Sequence, residues 1–253
     1  MDTRQFLSYI IVFLIGFIVA AMIVPTSFDM QLNQITGADI IGKEAPLTKV
    51  STNIVAVSSE NNQGILGKVN VEIISGDGKI LVNTNPFFEP DTQYSANIAA
   101  KVAQRVSITK LKDKDLIYDF DVPAVNVVGG PSSGAAMTIA TISALLEKNL
   151  RNDVVVTGTI NIDGTIGHIG GILEKAQAVV ENNKKIFLIP KGQSQIISYE
   201  KQTKTIQRNG VTFKKTVYVP TTFDLIQYAK DELNLDVIEV ENIYDVMKIM
   251  LKD

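Results

Sequence analysis

Two hydroxyls sit between a proline and a glycine in GGPSSGAAM, residues 129–137. A serine at the head of an apolar run has two uses. It caps a helix by accepting from a free backbone N–H, or it acts as a nucleophile beside the positive end of the helix dipole, where a developing oxyanion is stabilised. A nucleophilic serine needs a base. The chain has one histidine, His168, and no cysteine. A Ser-His-Asp triad would therefore have to use His168, and thiol chemistry and cysteine-ligated zinc are excluded. The other candidate base is Lys175, in GGILEKAQAVVENN (170–183). At helical spacing it shares a face with Ile172, Ala176 and Val179, while Glu174, Gln177 and Glu181 fall on a more polar face. A lysine on an apolar stripe either snorkels, its stem covering the edge of the core, or is desolvated and held neutral. Lowering its pKa by about 3 from ~10.4 would cost about 4 kcal/mol and make it a general base near neutral pH.

Elements must bring these groups together. The helix predicted from about Ser133 to Lys148 is small and apolar nearly all round (Ala135, Ala136, Ile139, Ala140, Ile142, Ala144, Leu145), which predicts burial. VVVTGTINI (154–162) reads as one strand, with Thr157, Thr159 and Asn161 on one side. Upstream, NIVAV (53–57), VNVEII (69–74) and KILVN (79–83), the last two joined by Gly76-Asp77-Gly78, read as a meander of hairpins. Pro90-Asp91-Thr92 opens a helix with Ile98 and Val102 at helical spacing, and LIYDFDV (116–122) alternates as a strand. Downstream, a helix over 172–183 precedes a buried strand at 185–190. Residues 191–220 look polar and irregular, with strand at 211–219. Thr221-Thr222 then cap a helix over 223–233, and DVIEV and NIYDVMKIMLK supply a last strand and helix. Alternating strands and helices predict a layered α/β or α+β fold with a mixed sheet and packed helices.

FLSYIIVFLIGFIVAAMIV, residues 6–24, is uncharged and nineteen residues long. At ~1.5 Å per residue it is long enough to span a bilayer. The competing reading is a cleaved signal peptide, whose apolar region is usually shorter, about 7–15 residues. The expectation is a single membrane anchor (1–24), a linker (25–49) containing Pro25 and Pro46, and a folded body (50–253). Arg4 is the only basic residue before the run, and Lys43 is the next after it. That bias predicts a cytoplasmic N-terminus and an extracytoplasmic body. Lys and Arg number 24 against 27 Asp and Glu, so nothing suggests a nucleic-acid partner. No paired metal-ligand motif appears, and no metal or cofactor is expected. Gly64-Ile65-Leu66-Gly67-Lys68-Val69 is a near miss to a phosphate loop, too short and lacking the hydroxyl, and GTIGHIG (164–170) lacks the context of a dinucleotide loop.

GGPSSGAAM, VTGTINIDGTIGHIGGILEKAQAV and KIFLIPKG, in that order, resemble the proteolytic domain of Lon proteases. The resemblance covers roughly residues 50–253 and is most specific from 116 to 192. It implies a serine–lysine dyad with Ser132 as nucleophile and Lys175 as base, 43 positions apart as in the family. It places Thr157 as the residue that supports the lysine, and Ser133 where the family has a small residue. It also implies polypeptide substrates, cleaved through an acyl-enzyme, and self-association, with a hexameric ring as the family pattern. The chain departs from the family in three places. Gly129 stands where many bacterial members carry an acidic residue, Asp119 and Asp121 where histidines are frequent, and Thr159 where the family has a glutamate. No GxxxxGK[ST] occurs, and the place of an ATPase is taken by the apolar run. The expectation is nucleotide-independent cleavage of unfolded or flexible chains, or dependence on a separate unfoldase. The alternative is a membrane-tethered binding or assembly domain that keeps the fold without proteolysis.

Overall fold

Strand β1 (Thr48–Val57) is buried on both faces at its centre, from Thr52 to Val55. Successive side chains point to opposite faces, so Ile54 enters one hydrophobic core and Val55 another. The computed structural model describes residues 47–123, 127–208 and 211–252, all within one unit, Glu44–Asp253. The apolar run at 6–24, and the expected linker up to residue 46, lie outside the described residues. Among the described residues no helix is long and apolar enough to cross a membrane.

The first sheet has the order β1-β2-β5-β3, with β2 (Gly64–Ser75), β3 (Ile80–Val82) and β5 (Lys114–Asp121), while the short β4 (Phe87–Phe88) and β6 (Val127–Val128) pair with each other in parallel. β1 and β2 form the expected antiparallel hairpin. β3 departs from the meander: it lies parallel to β5, not against β2. The cause is Asp115, whose Oδ1 accepts from the backbone N–H groups of Asp77 and Lys79, each at 2.8 Å, and draws the glycine turn onto the start of β5. The stretch Gly64–Val69 is ordinary strand.

The second sheet is parallel, β13-β10-β7, from β7 (Val154–Val156), β10 (Ile186–Pro190) and β13 (Asp236–Val240). These strands also divide their side chains. Val154, Val156, Leu188 and Val240 face the first core, and Val155, Phe187, Ile189 and Val237 the second. Continuous apolar runs suit strands covered on both faces. Helices α1 (Pro90–Ser107), α2 (Gly134–Leu146) and α5 (Ile243–Met250) pack on the first core; α3 (Ile172–Glu181) and α4 (Leu225–Glu232) pack on the second. The mixed α/β layering expected from the sequence is present.

Three local expectations are corrected. VVVTGTINI is two strands, because at Thr157 and Gly158 the chain leaves the parallel sheet; β8 (Thr159–Ile160) pairs instead with β9 (Ile166–Gly167). Thr157 and Thr159 therefore share no strand face. The α4 cap is Asp224, whose carboxylate accepts from the Gln227 N–H, and not Thr221 or Thr222. Residues 195–208, expected to be irregular, form β11 (Gln195–Arg208), which pairs in a long antiparallel ladder with β12 (Val211–Asp224); the strand expected at 211–219 falls within β12. Among the described residues the two strands pair only with each other. Past its base, where Ile196 and Phe223 pack on the second core, β11 lacks the apolar alternation that marks a strand in sequence.

Candidate active site

α2 is buried on every face from Gly134 to Ala144. Small residues let strands and helices approach it all round. Its two interior threonines are satisfied locally: Thr138 donates to Gly134 O and Thr141 to Met137 O, both at 2.7 Å. Thr141 Oγ1 also pairs with the buried Tyr118 hydroxyl at 2.8 Å, and burial raises that phenol above its ordinary range. The helix is thus a fixed post. At its head stands a tight 3-10 turn, Pro131–Ser133, entered through Gly130 at φ 80°, a left-handed conformation that favours glycine.

Neither serine is a side-chain cap. Ser133 is the first residue outside α2 and its hydroxyl caps nothing; Ser133 Oγ is buried with no hydrogen-bond partner among the described residues. The turn is held from outside by its carbonyls. Thr92 and Ser95 of α1 donate to Gly130 O and Pro131 O at 3.1 and 3.3 Å. Gly158 N–H donates to Ser132 O at 2.9 Å, and Thr157 Oγ1 donates to the same oxygen at 3.3 Å. The break between β7 and β8 therefore exists to grip the Ser132 turn. Gly134 completes the fit: a Cβ there would lie 2.7 Å from Ser95 Oγ and 2.9 Å from the Ile160 backbone nitrogen.

Lys175 lies one turn into α3, beside Ile172, Ala176 and Val179, all buried as the spacing predicted. It is 3% exposed. Its Nζ lies 3.5 Å from Thr157 Oγ1, and no described carboxylate forms an ion pair with it. Burial pushes the amine down from 10.5 to about 8, against an opposing pull from the charge of neighbouring Glu174. A snorkelling lysine would keep its head in water; this one does not.

Ser132 and Lys175 line a single cleft of about 630 Å³, together with Gly129, Gly130, Thr159, His168 and Gly171 among others. The Ser132 hydroxyl makes no hydrogen bond among the described residues, so none joins it to the Lys175 amine. They are linked in series: the amine reaches the Thr157 hydroxyl, which donates to the Ser132 carbonyl. Unliganded sites commonly hold such contacts long, and they tighten with substrate. The structure thus brings Ser132, Lys175, Thr157, Thr159 and His168 to one place. It leaves Asp119 out; that carboxylate accepts from Asn70 at 3.2 Å and Asn83 at 2.7 Å on the first sheet.

Two contributors escaped sequence reasoning. Gln193, beyond β10, clasps the loop before α3: its Oε1 accepts from the Ile169 N–H at 2.9 Å and its Nε2 donates to Ile169 O at 2.8 Å. Glu89 stands at the start of α1, and its carboxylate lies over Gly129; a Cβ on that glycine would fall within 2.6 Å of the Glu89 carboxyl carbon. A carboxylate from 40 positions upstream thus stands beside Gly129. No sequence signal marks either contact, because both join distant segments.

Comparison with known proteins identifies the family. Residues 63–219 match the Lon protease (S16) C-terminal proteolytic domain. A Lon protease of Desulfatibacillum aliphaticivorans is 38% identical over 103 residues, 39% of this chain and 12% of that protein. A Lon protease of Lawsonia intracellularis is 28% identical over 156 residues, 60% of this chain and 18% of the relative. An archaeal Lon protease of Pyrococcus abyssi is 28% identical over 167 residues, 64% and 14% respectively. The chain spans under a fifth of the length of these relatives.

Proposed function

Because this chain belongs to the Lon protease (S16) C-terminal proteolytic domain family, we propose that it is a serine endopeptidase in which Ser132 attacks the peptide bond and Lys175 is the base. The observation that carries the reading is the buried amine: 3% exposed, free of any ion pair among the described residues, and held at about 8 in the cleft that Ser132 lines. Neutral Lys175 takes the Ser132 Oγ proton, and the alkoxide adds to the substrate carbonyl. The backbone N–H of Ser132 receives the oxyanion. The lysine ammonium returns the proton to the leaving amine as the C–N bond breaks, leaving an ester on Ser132. Water, deprotonated by the same amine, hydrolyses that ester. Thr157 orients the amine and ties it to the turn.

The remaining assignments belong to the same reading. Residues 6–24 anchor the chain in a bilayer, with the body on the extracytoplasmic side. The protein works without nucleotide on unfolded or flexible polypeptide, or receives substrate from a separate unfoldase, and it assembles as a homo-oligomer on the ring pattern of the family. The test is cleavage of a disordered protein by the purified full chain without nucleotide. Ser132→Ala and Lys175→Ala should each remove activity by at least about 10⁴-fold while circular dichroism is unchanged. Undiminished cleavage by either variant would end the dyad assignment. Complete inactivity of the unsubstituted chain would favour the non-proteolytic assembly domain.

A further inference from the structure

The β11–β12 hairpin carries a charge pattern that the fold does not use. From Lys201 to Tyr218 the sequence holds five basic residues (Lys201, Lys204, Arg208, Lys214, Lys215) and no acidic one, in a chain whose net charge is −3. Lys201, Lys204, Lys214 and Lys215 are all exposed, and none forms an ion pair among the described residues. The register sets Lys204 directly opposite Lys215. Like charges facing each other across a ladder destabilise a hairpin, and this hairpin has no third strand to offset the cost. A surface of opposite sign would.

The same arm exposes large apolar groups. Ile197, Tyr199 and Tyr218 are 63%, 65% and 63% exposed. Alternation puts Ile197, Tyr199 and Lys201 on one face, with Tyr218 opposite Lys201 and Lys214 opposite Thr205. Tyrosines and lysines sharing one face match the polar–apolar boundary of a bilayer, where the rings sit at headgroup level and cations meet lipid phosphates. The base of the arm is fixed, since Ile196 and Phe223 pack against the second core.

We propose that the β11–β12 hairpin is a basic, tyrosine-bearing arm that lies against an anionic lipid surface. The proposal rests on the reading of residues 6–24 as a membrane anchor. Residues 25–47 separate that run from β1. At up to ~3.5 Å per residue they hold the body within about 80 Å of the bilayer. At that range the arm meets lipid at high effective concentration. A second copy of the chain is the weaker candidate, because nothing on the arm selects a partner surface of defined shape.

The chain has no cysteine, so Thr205→Cys offers a unique site for an environment-sensitive fluorophore. The full-length labelled chain is reconstituted into vesicles of phosphatidylcholine alone or with one-third phosphatidylglycerol. A blue shift and severalfold brighter emission are expected only in the anionic vesicles. Half-molar salt, or Lys201→Glu with Lys214→Glu on the tyrosine-bearing face, should abolish the change while leaving cleavage of a short flexible peptide intact. Emission indifferent to lipid charge would overturn the proposal, as would a change that follows protein-to-lipid ratio and so reports another copy. Alkaline carbonate separates the two readings. If the chain is stripped but still brightens with added anionic vesicles, the anchor fails and the arm stands. If the chain stays and the probe ignores lipid charge, the anchor stands and the arm fails.

Discussion

The two halves of the cleft are built differently. Ser132 stands at the head of a helix buried on every side, inside the first core. Lys175 stands on an amphipathic helix whose other face, with Glu174, Gln177 and Glu181, meets water. The first half is fixed by packing, which resists change at interior density. The second is fixed by one row of apolar residues and a few polar clasps. Ser132, the proposed nucleophile, is thus held rigidly, and Lys175, the proposed base, is where local adjustment is cheap. That division suits the proposed dyad, whose two groups share a cleft without a hydrogen bond between them.

Lys175→Met should show the widest contrast between the halves. Cleavage should fall by at least about 10⁴-fold, yet the fold should gain stability. The unfolded amine titrates near 10.5 and the folded one at about 8. Between those values the unfolded chain binds the extra proton, so the penalty of the buried charge is complete below about 8 and fades as pH rises towards 10.5. Denaturant melts at pH 7 should show the methionine variant more stable by up to about 3 kcal/mol, a gain that shrinks by pH 10. Equal or lower stability at pH 7 would mean that the amine carries no desolvation penalty.

Gly134→Ala probes the rigid half. The new methyl group meets Ser95 Oγ and the Ile160 backbone, and backbone in a filled core yields poorly. The turn should shift, costing about 10²-fold in kcat/KM and 1–3 kcal/mol in stability. Alanine at Gly170, where a Cβ would meet nothing within 4 Å, is the control from the softer half and should be near neutral. If the two glycines respond alike, the contrast in rigidity is wrong.

Much of this was legible in sequence because local patterns carry it. The all-apolar composition around Ile139 announced burial, and the stripe Ile172-Lys175-Ala176-Val179 announced a lysine facing inward. Ser132, Thr157 and Lys175 followed from a family resemblance that reads spacing. What failed depends on partners far along the chain. β3 was assigned to the wrong neighbour because Asp115, which captures its turn, lies 36 residues beyond Lys79. The first strand of the long hairpin went unread because it buries so little, although the second was expected at 211–219, and Glu89 and Gln193 went unread because a side chain's reach across space leaves no mark on its own segment.

Thr157 joins the halves, and Thr157→Val removes only its hydroxyl. The lost contacts are those to Lys175 Nζ and Ser132 O, so kcat/KM should fall about 10–100-fold. The unsubstituted enzyme should gain activity tenfold per pH unit below about 8 and level off above it, as the buried amine loses its proton. The valine variant should keep that midpoint, because burial and not Thr157 sets it. A midpoint displaced along with the rate would mean that the hydroxyl controls protonation.

Gln193→Ala should have the smallest effect and sharpens the contrast most. Gln193 touches neither Ser132 nor Lys175; it fixes Ile169 by two hydrogen bonds, just before the left-handed Gly171 that starts α3. Each bond contributes about 1 kcal/mol, and the freed loop lies on the half that packing holds loosely. Activity should drop about tenfold, with the pH midpoint drifting upwards as water reaches an amine no longer sealed by its loop. A residue that merely supported the fold would lower the amount of active protein and leave the midpoint at about 8. The pH profile, not the rate, therefore decides whether the soft half of the cleft controls the charge on its lysine.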